Sequence, residues 1–441
     1  MWGSHWTMQL EKAGIPGVFI VDKGFEADTQ ITCDKEGMSG LRRVYVPHPC
    51  GDVSDEELPR YMPQFVAALT AQLTEAERAP KPLEIERQNR IAFEGTLADV
   101  QRFFYKRGWS DGLPIIPPTE AAVKEMLHGT GHAPDEIVTD NMLPESLTVT
   151  VEKVAVVAVM AGCEPSYLPL LLSLIEAFNK EWYASTVRST TSFSFAVLVN
   201  GPVRKSIGMN VGVNALGSGT GNKANATIGR FLRLAIICLG GSRSAINDMS
   251  SIGNPSKFSF AFAENEERSP WEPYHVTSGF KASDSVVTVM TGGWNHNSPY
   301  ARMEGDAIKG LDSIARTVAN YELPNGVLLI MDPMSARKLA ASGFTKQSAE
   351  AYVWSHATRT LADFQSDQFY APFIEPVLKG HDWYGKKGVW SPDVLKLRPE
   401  DLLQVFPQDS IRIVVVGGET NTFSQTWQMS RPSTVLIDKW Q

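Results

Sequence analysis

From Trp6 onward the chain alternates two hydrophobic periods. WTMQLEKAG places apolar residues at helical spacing, and GVFIVD follows as a short apolar run bounded by turn residues. FEADTQITCDKEGM predicts a second helix and RRVYVPHP a second strand. SDEELPRYMPQFVAALTAQLTEAE predicts a third helix, with Asp52 to Asp55 near its amino end, where the helix dipole favours acids. Strand–helix alternation predicts a parallel sheet with crossover helices. Two strands make an incomplete sheet, so residues 1–78 read as the back half of a flavodoxin-like or Rossmann-like domain.

The polar, proline-bearing stretch around residues 79–94 predicts a linker, and residues 95–441 a larger α/β or α+β domain. TLADVQRFFYKRGW opens it as a helix capped by Thr96, and TEAAVKEMLHGTG is another, capped by Thr119. The intervening SDGLPIIPPT is extended, because Pro117 and Pro118 exclude helix. TVEKVAVVAVMAG is apolar around most of its circumference and predicts a buried helix, joined at Cys163 to the helix PSYLPLLLSLIEAFN. SFSFAVLVN, FSFAFAEN, SVVTVMTG, GVLLIMD and IRIVVVGG predict strands. NATIGRFLRLAIICLGG, GDAIKGLDSIARTVAN and SAEAYVWSHATRTLADF predict helices. No internal repeat stands out in the sequence.

NVGVNALGSGTGNKANATIGRFLRLAI is the densest local pattern. Gly208, Gly212, Gly217, Gly219 and Gly221 alternate with Asn210, Asn214, Asn222 and Asn225 before a long apolar helix. Glycines let backbone N–H groups converge, and a helix amino end adds partial positive charge. Asn210, Asn214, Gly217, Gly219, Asn222, Asn225 and Thr227 are therefore candidates for binding a carboxylate, phosphate or oxyanion, with Arg230 two turns further in. The competing reading is a loop that joins a strand to a core helix. The stretch is no Walker A motif, since Lys223 is followed by Ala224.

AENEERSPWEPYHV clusters Glu264, Glu266, Glu267, Glu272 and His275 just after an apolar strand. Glu264 is a candidate base, His275 a candidate proton carrier, and Glu272 a candidate substrate contact. A metal held by these acids and His275, with His296 added, fits no established ligand spacing, and the competing reading is a solvated surface loop. Cys163 precedes a helix and is a candidate nucleophile; as a bare cysteine it also fits a small buried hydrophobe. Cys238 reads as structural, Cys33 and Cys50 as incidental.

Composition narrows the class. The 441 residues are 43% hydrophobic and 20% charged, ordinary values for a folded chain with a sizeable core. A net charge of −8 without basic clusters argues against a nucleic-acid partner, and pieces such as Lys386 and Lys387 read as solvated. The four cysteines form no CxxC pair, which suits a reducing compartment. No leader-like start and no apolar run long enough for a bilayer are seen, which predicts a cytoplasmic protein off the membrane. No cofactor is identified by these patterns, so that question stays open.

LEKAGIP with GVFIVD, and then VYVPHPCGDVSDEEL, resemble the second half of the UGSC family over about residues 5–78. These are small α/β proteins, some of them selenoproteins, named for a motif of Sec or Cys, Gly, Ser and Cys. The resemblance implies that this motif would lie before residue 1, leaving three expectations: a fragment or late start, a strand supplied by a partner chain, or a docking element without chemistry. RGWSDGLPIIPPT, VMAGCEPSYLP, NATIGR and AENEERSPWEPYH resemble a region found beside such domains in uncharacterised bacterial proteins. Redox chemistry is implied only by that family likeness. The leading expectation is an enzyme on a small anionic metabolite, with Cys163 as nucleophile and Glu264 and His275 as acid and base. A lyase or hydrolase using the same residues is the first alternative. The second is a non-catalytic subunit, in a homo-oligomer or with a partner chain, that completes a site.

Overall fold

A computed structural model describes residues 2–79, 89–188, 190–297, 306–321, 325–381 and 391–441. The chain divides into two units, residues 1–100 with 242–249, and residues 101–241 with 250–441. The predicted linker 79–94 falls mainly outside the described residues, as do Lys386 and Lys387.

In the first unit, helix α1 (Trp2–Lys12), strand β1 (Phe19–Asp22), helix α2 (Glu26–Lys35) and strand β2 (Arg43–Val46) follow the predicted alternation. β1 and β2 pair in parallel, from Phe19 opposite Arg43 to Asp22 opposite Val46. The core beneath them is thin: Met8, Cys33 and Leu41, with Phe19 and Met38 packed against it. The predicted third helix is broken. It appears as a single turn at Leu58–Arg60, helix α3 (Met62–Thr70), and a short helix at Glu75–Arg78. Pro59 and Pro63 each remove an amide donor, and Thr74 with Glu77 forms a capping box that restarts the helix. Asp52 consequently lies in a separate turn, Cys50–Asp52, rather than at a long helix's amino end.

The second unit adds helices α4 (Leu97–Arg107, which begins in the first), α5 (Glu120–Leu127), α6 (Val151–Ala161), α7 (Leu168–Phe178), α8 (Lys223–Cys238), α9 (Ala307–Ala319), α10 (Pro333–Ala341) and α11 (Lys346–His356). Its strands are β3 (Ile137–Met142), β4 (Leu147–Thr150), β5 (Ser194–Asn200), β6 (Ala261–Ala263), β7 (Val286–Asn297), β8 (Val327–Met331), β9 (Ile411–Val415) and β10 (Ser424–Leu436). β3 and β4 make an antiparallel hairpin, and the other six form one mixed sheet in the order β9-β8-β10-β7-β5-β6. The chain is thus α/β, with parallel pairs in both units. SAEAYVWSHATRTLADF is not one helix: it breaks after His356 into the short strand Thr358–Thr360 and a helix capped by the Thr360 hydroxyl.

The sheet repeats a topological unit that sequence inspection does not show. β5 has β6 parallel on its outer side and β7 antiparallel on its inner side. β8 has β9 parallel and β10 antiparallel in the same way, and β7 joins β10 antiparallel at the centre. Side-chain alternation explains why the strands read as wholly apolar. Val197 and Val199 face α6–α8, while Val327, Leu329, Met331, Ile411, Ile413 and Val415 face α9–α11. The alternate residues Leu198, Phe262, Met290, Ile330, Val414 and Met429 fill a third, inner core. The sheet therefore curls, and the amide of Asn265, just beyond β6, donates to the carbonyl of Val415 at the end of β9 across 2.7 Å.

Candidate functional site

The apolar run of β6 ends at Ala263, and the next side chain, Glu264, is completely buried. A carboxylate there requires donors on both oxygens. Oε2 accepts from the Asn200 side-chain amide and from the Tyr274 backbone amide, each at 2.6 Å. Oε1 faces the buried ammonium of Lys346 at 3.3 Å, and that ammonium also donates to the Glu272 carbonyl at 3.2 Å. Lys346 opens α11 and lies 5.9 Å from the centre of the Tyr274 ring.

A second carboxylate, Glu266, accepts from the Gly201 amide at 2.8 Å and pairs with Arg204 at 2.7 Å. Gly201 has φ +85, and a side chain there would run into the Asp284 carbonyl, so only glycine carries the turn out of β5 past this carboxylate. Arg204 is buried and commits its whole guanidinium: Nε to the Gly201 carbonyl at 2.9 Å, Nη1 to the Glu264 carbonyl at 2.8 Å, and the remaining N–H groups to Glu266 and Glu267. Pairing with Arg204 holds the Glu267 carboxyl well down, at about 2.

His275 sits in the helical turn Tyr274–Thr277, fully buried, with Nδ1 3.9 Å from Glu266 Oε1. Among the described residues neither ring nitrogen has a hydrogen-bond partner, and the Asn200 Oδ1 is likewise unpaired. Each such group costs about 1–3 kcal/mol when left dry. A water or small polar ligand bonded to such a group would remove that cost.

The asparagine and glycine stretch forms a self-contained knot. The Asn225 amide group donates to the carbonyls of Asn210 and Ala215, and its Oδ1 accepts from the Asn210 backbone. Asn222 donates to the Asn214 and Gly217 carbonyls, and Asn214 to the Ser218 carbonyl. Asn210 donates to Asn222 at 2.6 Å. Gly217 leaves room for the Asn214 side chain, and Gly219 with φ +142 leads into the turn before α8. The asparagine side chains are thus spent on holding the loop. Thr227 bonds back to the Lys223 carbonyl, and Arg230 forms a fork onto Asp111 at 2.8 and 3.1 Å rather than reaching the glycines.

Cys163 packs in the helical core of α6–α8 and donates to the Thr227 carbonyl at 3.5 Å. Burial pushes its thiol up to about 12. Burial likewise pushes Cys238 up to about 12. Cys163 makes no hydrogen bond to Glu264 or His275. The structure therefore brings together Glu264, His275 and the Glu272 backbone, while Cys163, Thr227 and Arg230 belong to the packing around α8. Gly417 bridges the remaining parts: its amide donates to the Val211 carbonyl beside Asn210, and its carbonyl accepts from the Asn265 side chain, each at 2.9 Å.

His296 stacks on Trp427 at 3.8 Å, and burial lowers its pKa. Among the described residues no group of three His, Cys, Asp or Glu side chains gathers around a metal position. No described helix is long and apolar enough to cross a membrane.

Three members of the cluster escape sequence inspection. Asn200 and Arg204 lie 64 and 60 residues before Glu264, and Lys346 lies 82 after it. NGPVRKS following a wholly apolar strand is the one signal that marks the first two, whereas Lys346 looks like any lysine behind a Thr345 cap. No curated protein and no solved structure matches the chain. Residues 4–75, which hold the α1–β1–α2–β2 arrangement, match the UGSC family.

Proposed function

We propose that this protein is an enzyme that acts on a small anionic metabolite by proton transfer in the Glu264–His275–Lys346 cluster. The observation that supports the reading is His275: a buried imidazole, both ring nitrogens without a hydrogen-bond partner among the described residues, 3.9 Å from the Glu266 carboxylate. Imidazole and carboxylate supply base and acid, and the Lys346 ammonium supplies positive charge for an anionic group. Thiol chemistry at Cys163 fits less well, because a buried thiol held at about 12 offers almost no thiolate near neutrality. Lyase or hydrolase chemistry follows more readily from these groups than redox chemistry does.

The test is a thermal-shift panel of small carboxylates and phosphates on the native chain, on His275→Gln and on His275→Phe. A ligand that occupies the cluster raises the native melting temperature and loses that effect in both variants. If no compound shifts the native chain, and His275→Phe is simply more stable, the imidazole is a structural burden and the reading fails.

A second reading, a subunit that completes a sheet with a partner chain or a second copy, is favoured by the first unit. Ile20 of β1 is 55% exposed, and Met62, Val66 and Leu69 of α3 are exposed at helical spacing. Light scattering on the purified chain tests it: a strict monomer with no added partner removes the homo-oligomer.

A further inference from the structure

The last turn of the chain, Asp438–Trp440, is held by polar contacts that lie apart from the cluster around Glu264. Thr130 donates its hydroxyl to the Trp440 carbonyl at 2.6 Å. Lys439 pairs with Glu176 of α7 at 2.6 Å, and the Trp440 indole N–H donates to the same carboxylate at 3.0 Å. The Ile437 amide donates to the Ser285 carbonyl at 2.8 Å, so the turn joins the paired ends of the two central strands, β10 and β7. His132, in the loop between α5 and β3, lies with its ring centre 4.6 Å from that of the buried Trp440.

Both nitrogens of the His132 ring face acceptors. Nε2 lies 3.0 Å from the Lys439 carbonyl, and Nδ1 lies 3.0 and 2.9 Å from the two carboxylate oxygens of Glu136. A carbonyl oxygen cannot donate, so Nε2 carries a proton. A neutral ring would then set its bare Nδ1 against an ionised carboxylate, lone pair against lone pair. The contact closes only with one more proton, carried on Nδ1 or on Glu136. Neighbouring charges accommodate it: with the ring cationic, His132 and Lys439 balance Glu136 and Glu176. Asp438 is engaged elsewhere, with Oδ2 facing the Ser285 amide at 3.5 Å and Oδ1 accepting from the Gln441 side chain at 3.2 Å. The main-chain oxygen of Gln441 lies alongside Gly131. The His132 side chain is 26% exposed and that of Glu136 42%, so this proton exchanges with solvent.

We propose that the His132–Glu136 pair is a pH-sensitive latch on this final turn, with one shared proton holding Lys439 and Trp440 in their seat. The sign follows from the proton count. Seating the turn takes up a proton, so the latch is closed while the pair is protonated and loosens as pH rises through the histidine range. The loosening is local: the contacts from Thr130 and Glu176 remain, and the amides of the turn open more often while the core strands stay folded.

The test is hydrogen exchange on the full chain at about pH 6 and about pH 8, on either side of the histidine range. Exchange is read by mass spectrometry on the peptide that covers residues 437–441 and is corrected for the intrinsic rate. In the native chain the protection of this peptide falls about fivefold from the lower pH to the higher, the scale of a charge-assisted bond between partly exposed groups. The peptide that carries β8 keeps its protection. His132→Gln still offers a donor to the Lys439 carbonyl but cannot take the extra proton, and Glu136→Gln removes the carboxylate. Each variant loses the pH dependence. Native protection that is the same at both pH values, a pH dependence that survives in either variant, or an equal loss of protection in β8 would each overturn the proposal.

Discussion

Two pairs of parallel strands end in a carboxylate that gathers donors, and the two ends differ in exposure to solvent. Asp22 at the end of β1 collects two amides and an imidazole in a turn whose histidine is 54% exposed. Glu264 at the end of β6 collects an amide, an asparagine and an ammonium with no exposure at all. The same topology thus produces an accessible carboxylate over a thin core and a sealed one inside a thick core. In the open turn each interaction is worth little and substitutions are tolerated. In the sealed site every unpaired group carries its full desolvation cost.

The largest expected effect breaks the sealed pair. Lys346→Met leaves Glu264 charged and dry and destabilises the chain by about 3–5 kcal/mol, while Glu264→Gln together with Lys346→Met recovers most of that loss. Urea unfolding of both variants measures it, and a cost under ~1 kcal/mol for the single change would show the Glu264 region to be wet like the Asp22 turn.

Next come the two cores. Leu171→Ala in α7 costs about 2–5 kcal/mol because the packed surroundings cannot collapse onto the cavity. Ile20→Ala in β1 stays within about 0.5 kcal/mol because its side chain is already in water. Equal losses would erase the contrast between a thick and a thin core.

Thiol reactivity sharpens the comparison further. Iodoacetamide labels Cys50 in the native chain and reaches Cys163 only after unfolding, since a thiol held at about 12 has roughly one part in 10⁵ thiolate at neutrality. Peptide mapping under native conditions that finds Cys163 labelled first would remove Cys163 from the core.

The smallest effects concern acid. Asp22 and Glu267 have carboxyls held below their ordinary range in the folded state. Their contribution is full above the unfolded-state value and is lost as pH falls through the folded one, which for Glu267 is about 2. Glu267→Gln therefore flattens the acid limb of stability against pH, by under ~1 kcal/mol because this side chain is 40% exposed and screened. Melting temperatures between neutrality and strong acid check this.

Much of the scaffold was legible along the chain. GVFIVD, RRVYVPHP, GVLLIMD and IRIVVVGG read as strands because both of their faces are covered or their ends are marked by turns. β10 was not legible, since FSQTWQMSRPSTVLI mixes polar residues into a central strand. Its buried Thr426 is satisfied by the Tyr321 hydroxyl at 2.7 Å, and Thr434 meets Thr288 at 2.9 Å, partners that no local pattern discloses. Pro432 falls where the pairing with β7 shifts register, which is how a central strand accommodates it. Within the candidate site, the acids and His275 were visible as a cluster in AENEERSPWEPYH. That the asparagines serve their own loop, and that Arg230 serves Asp111, depends on which partner lies nearest in space.

The sequence by itself determined where apolar periodicity builds helices and strands, which turns need glycine or proline, and which segments carry ionisable groups, because these follow from near-neighbour sterics and patterning. Only the tertiary structure decided that Asn200, Arg204, Glu264, His275 and Lys346 meet, and that Cys163 does not join them. Curling of the six-stranded sheet makes that choice: it brings chain positions more than a hundred residues apart to one end of the inner core, where burial fixes the cost of every charge.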